Sequence, residues 1–370
     1  MSTRSGRRYW RNMALVIGLA LLIVTIIILG LLIGLTVRYA NASLHPPRIV
    51  LAQTPRAVGI DDYEDVSFTS DDGIELRGWY VPSQNGAAII LAHGYAGNRE
   101  TLLPEARILA GQDYGVLLFD FRGHGESGDA LVTIGDHERR DLRAAIDFVA
   151  ARPDVDPDRI GALGFSMGAA TIVQVAAEDD RLRAVIIEAA FGSLEETIRY
   201  RARLLGPLSQ IPSVWAVKRA GVTLADIRPV DDLCAISPRP LLLIYGEDDT
   251  AIPPGTQQAM FDAACDPVER WLIPKAVHQN YTEVVPEEYE SRLVAFFART
   301  LADKEPHQYW RLKFIGVDYA APYSWYPSRH SDCQRSSAEH QFLHGCLGAA
   351  AGQAHGEFRR SWYLSPVFWR

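Results

Sequence analysis

The chain has no long basic run. Its 370 residues carry 37 Lys and Arg against 45 Asp and Glu, a formal net charge of −8. Such a balance lacks the electrostatic footprint of a nucleic-acid binder. Cysteine is scarce, confined to Cys234, Cys265, Cys333 and Cys346. None forms a C-x-x-C pair, which leaves a zinc knuckle or a dithiol redox motif without support. Four cysteines in a chain this long imply no disulfide framework and leave the redox compartment open. No internal repeat is present. What the chain does have is apolar content of 48%, ample for a sizeable core, and a length that suits one large domain or two small ones.

One absence is local and informative. From Met13 to Val37 there is no charged residue, and Leu, Ile and Val dominate. As a helix this run measures roughly 37 Å, enough to cross a hydrocarbon core of about 30 Å with some tilt. A buried helix of a soluble protein is usually shorter and carries a polar edge. Arg4, Arg7, Arg8 and Arg11 precede the run, and Arg38 alone follows it closely. The positive-inside rule then predicts a cytoplasmic N-terminus at residues 1–12, a span at 13–37, and everything later outside the cytoplasm. Ala40-Asn41-Ala42 has the A-x-A form of a signal-peptidase site, but the apolar run exceeds the usual 7–15 residue core of a cleaved signal. The expectation is an uncleaved signal anchor, single-pass in the cell membrane.

Residues 38–62 read as a linker containing Pro46, Pro47 and Pro55. Beyond them a regular alternation begins. Asp65–Ser70 and Ile74–Val81 read as strands joined by a hairpin at Asp71-Asp72-Gly73. Buried strands are expected at Ala87–Ala92, Gly115–Asp120, Arg159–Phe165, Ala184–Glu188, Leu241–Tyr245 and Glu269–Ile273. Helical spacing appears over Asn98–Gly111, Asp136–Ala151, Met167–Ala177, Pro254–Ala264 and Pro286–Leu301. This alternation predicts an α/β domain over 63–304, with a mostly parallel sheet covered on both faces and an antiparallel edge. Residues 192–240 hold weak helices, Leu194–Leu205 and Ser213–Ala220, and are expected to form a small cap. Residues 305–370 lose all periodicity while carrying about half of the His and Trp residues. They are read as a poorly ordered tail outside the core fold. The competing reading is an aromatic, weakly basic tail that touches a membrane or a partner.

The chemistry collects at strand ends, where open parallel sheets bind ligands. Gly164-Phe165-Ser166-Met167-Gly168 matches G-x-S-x-G, a pattern that has meaning only between a strand and a helix, which is where it stands. A serine hydroxyl needs an adjacent base. The fold that uses this turn supplies an acid and then a histidine, in the chain order Ser, Asp/Glu, His. The strand Leu241–Tyr245 runs into Gly246-Glu247-Asp248-Asp249-Thr250, and the next strand runs into Ala276-Val277-His278. His278 is the expected base. Asp249 is the preferred acid and Asp248 the alternative, since neighbouring side chains cannot be told apart by sequence. His93-Gly94-Tyr95-Ala96-Gly97 follows an earlier strand. The backbone amides of Tyr95 and Met167 are the expected oxyanion-hole donors. His93 is read as structural. The run Asp120-Phe121-Arg122-Gly123-His124-Gly125-Glu126-Ser127-Gly128 lacks the Lys-Ser/Thr ending of a P-loop and is read as a structural loop near the mouth of the site.

These pieces make residues 66–302 resemble the α/β-hydrolase superfamily, especially its serine-aminopeptidase-like and monoacylglycerol-lipase-like branch. The acid of that family often stands in G-x-x-D-x-x-V-P; Gly246 to Pro253 fits this with Asp249, Ile252 replacing the valine. The family histidine usually stands in G-x-x-H, whereas Lys275 occupies the glycine position here. The resemblance implies hydrolysis of an ester, amide or thioester through an acyl-enzyme, on a small-molecule or lipid-like acyl substrate, with no metal or organic cofactor. A catalytically silent α/β-hydrolase fold used for binding or scaffolding is the competing class. Silent members commonly lose the serine, the acid or the histidine, and all three are present. A third class places the function in the tail, as an interaction segment.

Overall fold

The computed structural model describes residues 3–302; the tail expected over 305–370 lies outside them. Helix α1 covers Thr3–Ala42, longer at both ends than the apolar run it contains. Among the described residues it is the one helix long and apolar enough to cross a membrane. The linker boundary expected at residue 38 falls inside it. The last turn of α1 is packed: Ala40 and, just beyond the helix, Leu44 are buried in the main core cluster.

The sheet is built from β1 (Glu64–Thr69), β2 (Glu75–Val81), β3 (Ala88–Ala92), β4 (Gly115–Phe119), β5 (Ile160–Phe165), β6 (Leu182–Glu188), β7 (Leu241–Gly246) and β8 (Val268–Ile273). Its order is β1-β2-β4-β3-β5-β6-β7-β8. The hairpin β1–β2 joins β4 in antiparallel fashion, and all pairings from β4 to β8 are parallel. The antiparallel edge and the parallel body are those expected from the sequence. Every residue of β3, β4, β5 and β7 is buried, as strands covered on both faces must be. Successive side chains serve opposite cores: Ile90 and Ala92 enter one cluster, Ile89 and Leu91 the other.

Between the strands run α2 (Leu103–Ala110), α3 (Glu138–Ala150), α4 (Met167–Ala176), α5 (Leu194–Arg201), α6 (Pro207–Arg219), α7 (Pro229–Asp232) and α8 (Thr256–Ala263), and after β8 come α9 (Tyr281–Val284) and α10 (Pro286–Thr300). Several differ from the sequence expectation: α7 and α9 were not expected, and the helix expected over Leu194–Leu205 ends at Arg201, with a 3-10 turn at Arg203–Leu205. The segment expected as one helix over Asn98–Gly111 splits: Asn98 accepts a hydrogen bond from the Glu100 amide and opens a 3-10 turn, and α2 begins after it with Pro104 in its first turn. In the cap, α6 starts at Pro207 instead of Ser213 and continues through Pro212. Proline suits a first helical turn, while Pro212 hides the periodicity by which the start is read.

The topology positions the site. From β3 the chain moves to β4 on one side, then crosses back to β5 on the other. The loops after β3 and β5 therefore diverge at the centre of the sheet and leave a crevice at the strand carboxyl ends. One crosslink was not legible in the sequence. Cys234, just ahead of β7, is bonded to Cys265, just ahead of β8, with 31 residues of separation. It ties the cap exit to the strand pair that carries the acid and histidine loops. Closing a loop of this size is worth about 3–4 kcal/mol in the chain-entropy treatment. Cys234→Ser/Cys265→Ser is expected to lower unfolding stability by about that amount, read as a shift in the urea midpoint; an unchanged midpoint would show that the bond carries no stability.

Candidate active site

Ser166 stands between β5 and α4 at φ 52°, ψ −108°, a backbone state that costs a non-glycine residue about 1–3 kcal/mol. Tertiary contacts hold it there. The Ser166 amide donates to Glu188 O at the end of β6, 2.8 Å away. The first turn of α4 lies so close to β3 that a Cβ on Gly168 would meet Ala92 O at 2.1 Å. Only glycine permits this approach. The turn lifts the serine side chain clear of the sheet, and Ser166 remains partly exposed while Met167 is buried.

The residues expected as base and acid follow the far strands. His278 follows β8, and its Nε2 lies 3.0 Å from Ser166 Oγ. Its Nδ1 lies 2.7 Å from Asp249 Oδ2. A carboxylate only accepts, so Nδ1–H donates to Asp249 and Nε2 is left to accept from the serine hydroxyl. The Asp249 side chain is fully buried, and its other oxygen accepts from the Ala251 amide at 2.8 Å. Asp248, the alternative, is exposed, and its backbone amide donates to Ala276 O. The two loops are clasped where a Cβ on Gly246 would meet Ala276 O at 2.3 Å. Lys275, at the family's glycine position, has φ 63°. The left-handed turn is thus kept without its usual residue, at a cost of about 1–2 kcal/mol.

Tyr95 and Met167 flank the serine from the β3 loop and the head of α4. Their amides donate to no carbonyl or side chain among the described residues. The loop that carries Tyr95 is pinned by two histidines. His93 Nε2 accepts from the Phe121 amide at 3.0 Å, and its Nδ1 lies 2.7 Å from Gly94 O. His124 Nε2 accepts from the Ala96 amide at 3.1 Å, with Nδ1 2.9 Å from Arg122 O. Burial holds both rings below the ordinary histidine pKa, His93 near about 3. They are therefore neutral braces between the β3 and β4 loops. Asp120 accepts from the Arg99 amide at 2.7 Å, and Arg122 is buried between Asp141 and Asp72, each 2.7 Å away. These contacts match the structural reading of the 120–128 loop. Sequence reasoning missed two braces from the cap: Tyr200 Oη donates to Thr250 O and Arg201 Nη2 to Ala251 O, both in the acid loop. No motif marks them, because their partners are backbone carbonyls.

A profile of the prolyl oligopeptidase family matches residues 102–304, more than half of the chain. The chain belongs to this family. The fold is that of the α/β-hydrolase superfamily, as the resemblance implied. The uncharacterized protein YfhR of Escherichia coli (strain K12) is 32% identical over 248 residues, covering 64% of this chain and 81% of its own. The Pyrococcus furiosus esterase Pf2001 is 30% identical, with a TM-score of 0.59, covering 70% of this chain and 99% of that one. The thiohydrolase aneE of Aspergillus aculeatus is 36% identical over 138 residues, 35% of this chain and 43% of its own. The apolar run of α1 lies outside the profile match.

Behind the serine, this prolyl oligopeptidase-family chain buries two acids that no sequence pattern indicated. Tyr289 Oη lies 2.6 Å from Glu188 Oε1 and 3.3 Å from Glu105 Oε1. Glu105 and Glu188 line a cavity of about 220 Å³ together with Phe165 and Tyr281. Burial raises both carboxyls, Glu105 to about 7. The unfolded chain releases such a proton near pH 4–5, whereas the folded protein keeps it up to about 7. The contribution of this carboxyl to stability is therefore full below about pH 4.5 and falls as the pH rises toward 7, because the unfolded state then binds fewer protons. Glu105→Gln keeps an acceptor for Tyr289 and is expected to flatten that fall, measured as urea stability from pH 4.5 to 8. A slope identical to the parent's would show that Glu105 stays ionised in the fold.

Proposed function

We propose that the protein is a membrane-anchored serine hydrolase that cleaves a carboxylic ester through an acyl-enzyme, with Ser166, His278 and Asp249 as its triad. The observation that carries this reading is the chain of contacts from Asp249 through His278 to Ser166, 2.7 Å and then 3.0 Å. Ser166 Oγ attacks the ester carbonyl carbon while its proton passes to His278 Nε2. Asp249 orients the ring and stabilises the imidazolium. The Tyr95 and Met167 amides face the developing oxyanion, each such donor being worth about 2.7–4 kcal/mol in the transition state. The C–O bond to the leaving group breaks, and His278 returns the proton to release an alcohol. Water then attacks the acyl carbon and gives a proton to His278. Ser166 departs with that proton, and a carboxylic acid leaves.

An ester is favoured over an amide or thioester by the similarity to the Pyrococcus esterase, which extends over nearly all of that chain. The intact set of serine, acid and histidine argues against a silent scaffold. For topology, the four arginines ahead of the apolar run favour a cytoplasmic N-terminus, with the hydrolase domain on the outer side. The Cys234–Cys265 bond supports the same placement, because such bonds persist in oxidising compartments.

Ser166→Ala is expected to lower turnover of a short acyl ester by about 10⁴ or more and to abolish labelling by a fluorophosphonate probe, while the thermal transition is retained. Undiminished turnover by folded protein would sink the mechanism. Protease added to intact cells is expected to degrade the hydrolase domain; its protection would reverse the orientation.

A further inference from the structure

Helix α6 carries large apolar residues on its exposed side as well as on its buried one. Val214, Ala216 and Val217 are buried in the core. On the opposite side Leu208, Ile211 and Trp215 are 50%, 60% and 52% exposed, with Leu204 at 88% and Leu205 at 41% just ahead of the helix. The spacing of 3 and 4 residues puts Leu208, Ile211 and Trp215 on one stripe. Five large exposed apolar side chains in twelve positions exceed the scattered single residues of an ordinary surface.

Two further observations indicate what covers this stripe. First, α6 packs against α1, and the residues of α1 that become covered toward its C-terminal end are Leu32, Thr36, Val37 and Ala40. Leu32 to Val37 belong to the apolar run itself, so α6 lies beside the part of α1 that would be leaving the hydrocarbon. Second, from Thr197 to Ala225 the chain has five basic residues and no acidic one. Arg219 sits over the Trp215 ring, 5.4 Å from its centroid. An apolar stripe with a tryptophan and basic residues at its ends is the pattern of a segment lying at a bilayer surface with anionic headgroups.

The same contacts set the distance to the site. Tyr95 Oη donates to Ser43 O at 2.8 Å, and Ser43 stands six residues past Val37. At 1.5 Å per helical residue, the Tyr95 loop is tied about 9 Å along α1 from the end of its apolar run.

We propose that the stripe Leu204, Leu205, Leu208, Ile211 and Trp215 is immersed in the same leaflet that α1 enters, holding the mouth of the Ser166 site at headgroup level. The substrate is then an acyl ester resident in that leaflet, and the released fatty acid returns to it. This rests on the hydrolase reading above and adds the partner surface.

The test uses the full chain reconstituted in phosphatidylcholine–phosphatidylglycerol vesicles that carry a fluorogenic long-chain acyl ester, with a soluble butyrate ester assayed in parallel. Leu208→Ser/Ile211→Ser/Trp215→Ser is expected to slow the vesicle ester tenfold or more and leave the butyrate rate unchanged. Equal rates on the vesicle ester for parent and variant would overturn the proposal, as would a parallel loss on both substrates, which marks a packing role. A parent protein that turns over butyrate but not the vesicle ester also overturns it. A parent that hydrolyses neither ester and takes no fluorophosphonate overturns the hydrolase reading instead.

Discussion

The approach of α4 to β3, with Gly168 against the Ala92 carbonyl, is the contact on which the rest of the site depends. A one-residue turn joins β5 to α4, and in it Ser166 stands at positive φ. The strain is held by the sheet around it, through the Ser166 amide bound to the end of β6. Because β3 and β5 are neighbours whose outgoing loops diverge, the loop that carries Tyr95 and the head of α4 both stand beside the serine. A side chain at position 168 would therefore disturb the Ser166 turn and the head of α4 together.

A second clasp of the same kind joins the acid and histidine loops at Gly246 and Ala276. Both loops leave adjacent parallel strands, so their separation is fixed by strand spacing, and the Cys234–Cys265 bond ties the two segments that enter those strands. The remaining loops are braced by neutral, buried histidines and by carboxylates whose hydrogen bonds go to backbone amides. These groups spend their hydrogen-bonding capacity on holding loop shape. This is why the 120–128 run, rich in charge and glycine, surrounds the site without offering a second one.

The cap connects this rigid centre to the helix that precedes it. Its α5 holds the acid loop through Tyr200 and Arg201, its α6 packs on α1, and the end of α1 holds the Tyr95 loop through Ser43. The apolar helix and the proposed catalytic groups are thus linked by short, direct contacts at both the oxyanion and the acid sides.

The strand and helix alternation, the antiparallel edge and the G-x-S-x-G turn were legible because each rests on local pattern: apolar runs for doubly covered strands, and small residues where backbone segments must touch. Ser166 and His278 stood out for the same reason, at strand ends in a fixed chain order. The preference for Asp249 over Asp248 came from the family resemblance and not from local pattern, since neighbouring side chains diverge according to a loop conformation set by Gly246 and Ala276. Not legible were the left-handed Lys275, the Glu105–Glu188–Tyr289 cluster and the Cys234–Cys265 pairing, which depend on partners distant in the chain, and the start of α6 at Pro207, which Pro212 obscures. By itself the sequence determined the order of elements, the apolar run and the residue types able to do acyl chemistry, because these follow from periodicity and composition. Only the tertiary structure decided which acid meets His278, how tightly the loops are clasped and which face of the cap stays apolar beside α1, because each of these is settled by contacts between segments that the chain order keeps apart.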